Sequence, residues 1–498
     1  MNWELLLDED ALALLLPGEY ARFARPVKEG LVVFLGGLPQ AIQKSIFSEQ
    51  ASLSAETPFA ERLGRLARSC PVLHKLGQIL ARNRRLAPEL RHQFRQLESL
   101  PPTVCLEVIQ DILARELGPL DRRAITLLPP AIAEASVAVV IPFQQYSGPQ
   151  AQEGVFKILK PGIEERLGLE LELLGRVGSH LDQECDRLQI PPMDYAETFE
   201  QVRRKLANEV LLEQEQRHLV EAREFYAGQP DVLIPRVMDH CTSRITAMER
   251  VVGEKVTDHL FRCPRKKRQL ANLVSRTLVA QPLFSRSSRA LFHSDPHAGN
   301  LLSTNDGRLA VLDWSLVGHL GEKQRVAIGQ ILLGALTLQA EKIVAEVEDL
   351  AEGRIVDRCS LVKVVMDGLQ RVRRGQFPGV SWLVGMLDEA ARFAGLRVAS
   401  DMLLFRKSLL TLEGVVSEIG AEGHWVDDVA VAEFFHHFAC ELPTRCFLPP
   451  TSRKFATRLS NSDLWNAWLS LPLTTLRYWL AELDDFLQNR SSPLSARG

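Results

Sequence analysis

The reading of this chain turns on His293-Ser294-Asp295-Pro296-His297-Ala298-Gly299-Asn300, followed by Val311-Leu312-Asp313-Trp314-Ser315. Between the two stretches, Leu301-Leu302 and the apolar run 309–312 flank Asn305-Asp306-Gly307. Asp-Gly between apolar runs is a strong hairpin signal. A hairpin there returns the chain to the edge it left, so Asp295, Asn300 and Asp313 converge. Asp and Asn are also common turn formers, and an isolated D-x-x-x-x-N means little. The whole set, with His293 ahead of Asp295 and Asp313 at a strand end, is far more specific.

This is the layout of a kinase catalytic loop and metal loop. In it the first Asp accepts the proton of, or orients, the attacking hydroxyl, while the Asn and second Asp hold Mg²⁺ against the phosphates. Hard oxygen ligands suit Mg²⁺. Such a site also needs a cation upstream. Lys157 lies in the run 155–159 (VFKIL) with apolar neighbours on both sides, placed to pair with phosphates and with a helix glutamate. The bland alternative is an edge-strand lysine that blocks aggregation. Lys160 competes, but it falls beyond the strand, beside Pro161.

Outward from these motifs the chain divides into five stretches. Residues 1–58 hold short helix-like runs broken by Pro17, Pro26, Gly36-Gly37 and Pro39. Residues 59–123 have apolar positions (Leu63, Leu66, Val72, Leu73, Leu76, Ile79, Leu80) near the 3.6 period, with Pro101-Pro102 as punctuation, and read as an all-α unit. Residues 124–252 read as a small mixed lobe. In it the runs 137–143 and 155–159 form a hairpin around Gly148-Pro149, helices cover 163–226, and the runs 232–238 and 244–248 form a second strand pair. Residues 253–425 are mainly helical apart from the Asp-Gly hairpin, and 426–498 form a helical tail. The fold class expected is α+β.

Charge and composition exclude several classes. Lys+Arg is 59 against Asp+Glu 62, so no global basic field supports a nucleic-acid coat. Hydrophobic residues at 46% and charged residues at 24% are ordinary for a globular chain. Eight cysteines without a CxxC pair give no zinc ribbon and read as reduced thiols of a cytoplasmic protein. The acidic start lacks a basic n-region, and no apolar run is long enough to span a bilayer. The expectation is a soluble chain with at most peripheral contact at the inner membrane.

Several of these segments together resemble the UbiB/AarF family of atypical kinases. His74-Lys75-Leu76-Gly77-Gln78 matches its K-x-G-Q signature. Residues 131–138 (AIAEASVA), with Ala133, Ala135 and Ser136, are similar to its alanine-rich nucleotide loop. Residues 155–162 resemble its V-A-V-K-V-x-R-P-G strand and 208–218 its E-x-D…E…N helix. Met248-Glu249 with Gly253 is similar to its hinge, and 293–300 to its H-x-D-P-H-P-G-N loop. The resemblance covers about residues 60–420. It implies a protein-kinase-like two-lobe fold, a small β-sheet lobe plus a helical lobe, with an N-terminal helical extension. It also implies ATP or ADP with Mg²⁺, and a role in ubiquinone or other isoprenoid lipid metabolism. By the same resemblance Asp295 is the catalytic aspartate and Asn300 and Asp313 are metal ligands. Lys157 binds phosphate, Glu215 is its partner, and Glu249 with the alanine-rich loop holds the nucleotide. Lys75, Gly77, Gln78 and Glu209 belong to the regulatory extension.

The chain departs from the family pattern in places. Leu211 stands where the second acid of E-x-D is expected, Ala81 replaces the serine closing K-x-G-Q-x-x-S, and Trp314-Ser315 replaces F-G. Glu134 enters the alanine-rich loop, and Val139-Val140-Ile141 replaces Q-V-H. No G-x-G-x-x-G precedes Lys157, so backbone approach to phosphates is restricted. No A-P-E-like segment follows Asp313, which argues against docking of a substrate peptide. The expectations are therefore an Mg²⁺-dependent ATPase or kinase acting on a small or lipid-linked substrate or, alternatively, a pseudokinase acting as a nucleotide-gated scaffold. On the K-x-G-Q helix, Lys75 is expected to reach Glu209 and Gln78 to touch the nucleotide-side loop.

Weaker signals read as ordinary structure. Residues 262–268 (RCPRKKR) read as a solvated helix start in preference to an anionic-membrane site. The tail 464–487, with Trp465, Trp468 and Trp479, reads as packed helix broken by Pro472. His436, His437 and Cys440 read as helix surface plus core in preference to a metal cluster.

Overall fold

The computed structural model describes residues 3–490 apart from 17, 82–85, 98–102, 148–149, 192–193, 259–262, 352–356 and 421–425, and leaves out the side chains of 5, 19, 147, 150, 201, 205 and 476–490. Pro17, Pro101, Pro102, Gly148, Pro149, Arg262 and the side chain of Trp479 thus lie outside the described residues. The chain folds as two compact units, Met1–Val220 with Pro235–Val251 and Glu221–Ile234 with Val252–Gly498.

The first unit opens with helices Glu9–Leu15, Ala24–Gly36, Gln40–Ala51, Phe59–Arg68, Pro71–Leu80, Pro88–Gln96 and Leu106–Leu117. Two of them begin on proline, where a missing N–H costs nothing and φ is already helical. Their apolar stripes meet the long helix Ile163–Leu188 in one core that includes Phe34, Leu63, Leu66, Leu171 and Leu174. Fully buried Glu170 on that helix accepts from Val72 N at 2.9 Å and pairs with Arg166 Nε at 3.0 Å. A carboxylate on the first turn of Pro71–Leu80 satisfies an otherwise orphaned amide and complements the helix dipole.

An antiparallel sheet runs Ile125–Leu127, Ala138–Ser147, Gln150–Leu159, Ile245–Glu249, with Ala133–Glu134 also paired to the second strand. Val140, Lys157 and Thr246 are register partners across its middle. Ile141, Phe143, Phe156, Ile158 and Ala247 pack beneath it, with the Phe143 and Phe156 rings stacked at 4.0 Å between centroids. The first expected hairpin is present and longer than its apolar runs suggest. The second expected strand pair is corrected. Ile245–Glu249 pairs with the Lys157 strand, and Val232–Leu233 pairs parallel to Leu309–Val311 in the second unit. Only one bridge, Val237 to Met248, joins the two runs. Pro235, lacking an N–H, interrupts the first run.

In the second unit the Asp-Gly hairpin forms as Leu301–Thr304 and Leu309–Val311, with Gly307 at φ +85°. Its sheet runs Val232–Leu233, Leu309–Val311, Leu301–Thr304, Gly253–Lys255. A further strand pair, Arg289–His293 with Val317–Gly321, stands where helix was expected from 316. Gly318 makes it fit: a Cβ there would lie 2.2 Å from Phe292 Cζ. Helices Glu322–Leu336, Ala340–Leu350, Arg358–Arg373, Val380–Phe393, Ser400–Ile419, Val426–Arg445 and Asn461–Arg490 complete the unit.

The tail corrects two expectations. Asn461–Arg490 continues through Pro472 without a break, although an interior proline removes one intrahelical bond. Trp465, Trp468 and Leu469 are not packed but 61%, 60% and 62% exposed. His436 Nε2 lies 3.9 Å from Cys440 Sγ, while the His437 ring packs on Phe284 at 5.6 Å, so the three do not converge. No helix among the described residues is long and apolar enough to cross a membrane.

Candidate active site

Strand Arg289–His293 leads into the loop that carries Asp295 and Asn300. His293 is buried, and its Nε2 faces the carbonyls of Leu312 at 3.1 Å and Asp313 at 2.9 Å, while Nδ1 accepts from Asp295 N at 3.1 Å. Burial pushes the ring's pKa down despite Asp295, Asp313 and the carbonyls. A neutral imidazole protonated on Nε2 satisfies every one of these contacts. His293 therefore ties the loop carrying Asp295 to the segment carrying Asp313. Ser408 Oγ donates to the His293 carbonyl at 2.7 Å and holds the strand end from behind.

Asn300 sits at the end of a short 3₁₀ turn, Ala298–Asn300, and its side-chain amide donates to the Asp295 carbonyl at 3.3 Å. That orientation turns its oxygen to the opposite side. Leu312 N donates to the Asn300 carbonyl at 2.8 Å, so the hairpin brings Asn300 and Asp313 onto adjacent chain. Asp313 has φ +51°, a left-handed conformation that Asp tolerates better than most residues. Its Oδ1 accepts from Ser315 N at 3.2 Å, and fully buried Trp314 anchors the turn through Nε1 to the Val311 carbonyl at 3.1 Å. One carboxylate and one amide oxygen on rigid backbone is a donor set that fits Mg²⁺, which binds few protein groups and completes its octahedron with water and phosphate. Among the described residues no group of three or more His, Cys, Asp or Glu side chains could hold a metal ion by itself.

The first unit carries the cationic group. Lys157 Nζ donates to both carboxylate oxygens of Glu215, at 2.7 and 2.8 Å, across 58 residues of sequence. Their side chains are 12% and 3% exposed. Lys160 goes elsewhere, pairing with Glu134 at 2.7 Å. The Glu134 carboxylate also accepts from the Thr103 amide and, at 2.9 Å, from the Thr103 hydroxyl. Burial raises its pKa, but Lys160 and Thr103 outweigh that and hold it below the usual carboxylate value. The acid that departs from the alanine-rich pattern is thus a structural tie. Ala133 and Ala135 beside it are exposed, Ser136 is buried, and Ala135 N closes a tight turn on the Ala138 carbonyl at 2.8 Å. Glu249 ends its strand with its amide on the Arg236 carbonyl at 2.8 Å.

On the K-x-G-Q helix, Lys75 Nζ lies 2.8 Å from Glu209 Oε1, each 22% exposed. Gln78, expected from sequence to touch the nucleotide-side loop, instead donates from Nε2 to the Leu97 carbonyl at 2.9 Å, a carbonyl also met by His74 Nε2 at 2.8 Å. Gly77 faces the same place, where a Cβ would come within 2.7 Å of Leu97 Cδ1. Leu211, at the missing acid's position, is 47% exposed.

Sequence reading missed Lys407. On helix Ser400–Ile419, its Nζ lies 3.4 Å from Asp295 Oδ1. No local pattern links positions so far apart, so no sequence signal could have found it.

A lysine held by a helix glutamate on the middle of a small antiparallel sheet, and an aspartate loop closed by a hairpin in a mainly helical unit, are the parts of a protein-kinase-like fold. Residues 97–347, half of the chain, match the ABC1 atypical kinase-like domain. The chain belongs to this family, which includes the UbiB and aarF proteins. It is 30% identical over 262 residues to the chloroplastic Activity of bc1 complex kinase 3 of Arabidopsis thaliana, covering 52% of this chain and 36% of that one. An uncharacterized chloroplastic aarF domain-containing protein kinase of the same plant is 30% identical over 343 residues, covering 66% and 59%. A probable protein kinase UbiB of Marinobacter nauticus is 24% identical over 360 residues, covering 69% and 64%. The chain therefore spans between about a third and two thirds of these relatives' own lengths. Among solved structures, that of Rv3197 with erythromycin from Mycobacterium tuberculosis aligns over 79% of this chain and 87% of its own, with 15% identity and a TM-score of 0.49.

Proposed function

We propose that the chain binds Mg-ATP or Mg-ADP and uses it for ATP hydrolysis or phosphoryl transfer to a small or lipid-linked acceptor, in ubiquinone or other isoprenoid lipid metabolism. The observation that carries this reading is the bidentate Lys157–Glu215 pair. In kinase-like sites this pair presents the ammonium to the nucleotide phosphates. Asn300 and Asp313 would hold Mg²⁺, which neutralises the phosphates and polarises the transferred group. Asp295 would orient the attacking hydroxyl or water. The lipid part of the reading follows the family resemblance, and the exposed Trp465, Trp468 and Leu469 favour a peripheral lipid contact.

A second reading, a nucleotide-gated scaffold without turnover, is favoured by Lys407. An ammonium 3.4 Å from the Asp295 carboxylate stabilises its charge and weakens it as a base. Two measurements on wild type and Asp313→Asn decide between the readings. Mg-ATP should raise the thermal midpoint of wild type, and the rise should vanish in Asp313→Asn, because hard cations need anionic oxygen. Phosphate release accompanying the shift supports the enzyme; a shift without release supports the scaffold. An unchanged shift in Asp313→Asn removes Asp313 from the metal site.

A further inference from the structure

The first unit contains a half-open apolar cleft of about 550 Å³ that has no part in the Lys157–Glu215 pair. Its walls come from helices Glu9–Leu15, Ala24–Gly36, Phe59–Arg68, Pro71–Leu80, Pro88–Gln96, Ile163–Leu188 and Tyr195–Ala207, so it is enclosed by helices on several sides. The lining is hydrocarbon almost throughout, as at Leu31, Phe34, Ala67, Leu76 and Val177.

Water in such a cleft meets almost no polar partner on its walls, whereas a well-held water needs two or more. Apolar walls facing that water carry a cost roughly in proportion to their area. Its size lies within the range of pockets that enclose whole small ligands. The rim is also apolar where it meets solvent: Val27, Ile79 and Leu80 are 40%, 45% and 43% exposed. A charge stands beside one wall residue. The guanidinium of exposed Arg22 lies 4.9 Å over the ring of Phe23, part of the cleft wall.

We propose that this cleft is a binding site for the hydrocarbon chain of a single-chain amphiphile, its tail among the helices and its polar head beside Arg22. A tail among Leu31, Phe34 and Leu76 removes its own apolar surface and that of the walls from water, and an anionic head meets the guanidinium. The helix that carries Lys75 supplies Leu76, Ile79 and Leu80 to the site, so the signature helix has one face on the chain and another on Glu209. The proposal goes beyond the nucleotide reading and does not depend on it.

The test is a fluorescence titration of the full chain with dansyl-aminoundecanoic acid, without nucleotide or Mg²⁺. Wild type should show a saturable, blue-shifted signal at one probe per chain, displaced by palmitate or by geranylgeraniol. The better competitor identifies an acyl or a prenyl source. Ala67→Leu, which fills the interior, and Leu80→Asp, which makes the exposed rim polar, should each weaken binding about tenfold or more. Both should keep the wild-type circular dichroism and Mg-ATP thermal shift. Leu80 is at the surface, so its variant reports on binding even where the Ala67 variant folds poorly. No saturation, failure of both competitors, or Leu80→Asp binding as tightly as wild type overturns the proposal. So does a concentration-dependent dimer that Leu80→Asp converts to monomer without any probe binding, which would make the rim a protein interface.

Discussion

Removing one partner of the Lys157–Glu215 pair should cost far more than removing both. Glu215 keeps only 3% of its side chain exposed and Lys157 12%, with nitrogen–oxygen distances of 2.7 and 2.8 Å. Direct attraction at that separation is on the order of 6 kcal/mol at an effective dielectric near ~20. Desolvation of the two ions cancels much of it, so the pair's net contribution is small. Loss of one ion takes these two short contacts away from the one that stays buried, a cost of roughly 3–5 kcal/mol. Lys157→Met and Glu215→Gln should each destabilise the first unit by about that amount, toward the lower end for Glu215→Gln, which leaves an amide to accept from the lysine. The double variant Lys157→Met/Glu215→Leu should lie within about 1–2 kcal/mol of wild type, because well-packed apolar groups replace a buried pair at little cost. Native-state hydrogen exchange read on residues 150–159 measures these differences in the lysine's own strand and avoids assuming that the two units unfold together. Single-variant losses that simply add in the double variant would refute the argument, because independent sites show no coupling.

Two further outcomes follow from the K-x-G-Q helix. Burial pushes the His74 pKa down to about 4 from 6.5, with Lys160, Lys75 and Arg68 acting the same way against the Leu97 carbonyl. The folded state then binds fewer protons than the unfolded one between those values. Stability from the neutral ring is therefore full above pH 6.5 and falls with pH, being lost by about pH 4, a change on the order of 3 kcal/mol. His74→Gln keeps a donor for Leu97 without titrating, so urea midpoints across this window should vary less with pH in the variant; equal slopes would remove His74 as the cause. Gly77→Leu should lower stability by about 1–3 kcal/mol despite glycine's poor helix propensity, since even its Cβ would lie 2.7 Å from Leu97 Cδ1. A thermal midpoint equal to or above wild type would show that Leu97 and Phe94 move aside freely.

What could be read from sequence was what is local or carried by a motif. The Asp-Gly hairpin, the VFKIL strand and the helical spacing of residues 59–117 each contain their own signal, and each forms. Long-range partner choice contains none. The run 232–238 looked like the mate of 244–248, yet Pro235 divides it and its first half joins a hairpin some seventy residues on. The strand Val317–Gly321 went unread because its glycines weaken the alternation; only the approach of Phe292 explains Gly318. Lys407 beside Asp295 lies beyond any pattern, since it depends on how one helix packs against one strand.

The departures from the family pattern, which from sequence alone leave turnover in question, are of unequal weight once their surroundings are known. Glu134 does not put a loose negative charge into the alanine-rich loop, because Lys160 and Thr103 consume its carboxylate. Leu211 removes an acid from a half-exposed position while Glu209 keeps Lys75 at 2.8 Å. Trp314 fills the core under Asp313 and fixes the turn through Val311, so replacement of F-G leaves the segment that carries Asp313 firmly held. None of the three displaces Lys157, Glu215, Asn300 or Asp313. The group that bears most directly on turnover is the one that sequence comparison did not flag, the Lys407 ammonium on Asp295. Its effect depends on what Asp295 does. A base is weakened by a neighbouring cation, whereas a carboxylate that only orients a hydroxyl keeps its charge and loses little. Replacing Lys407 by methionine separates these cases: phosphate release should rise with Asp295 as base and stay level or fall with Asp295 as an orienting group.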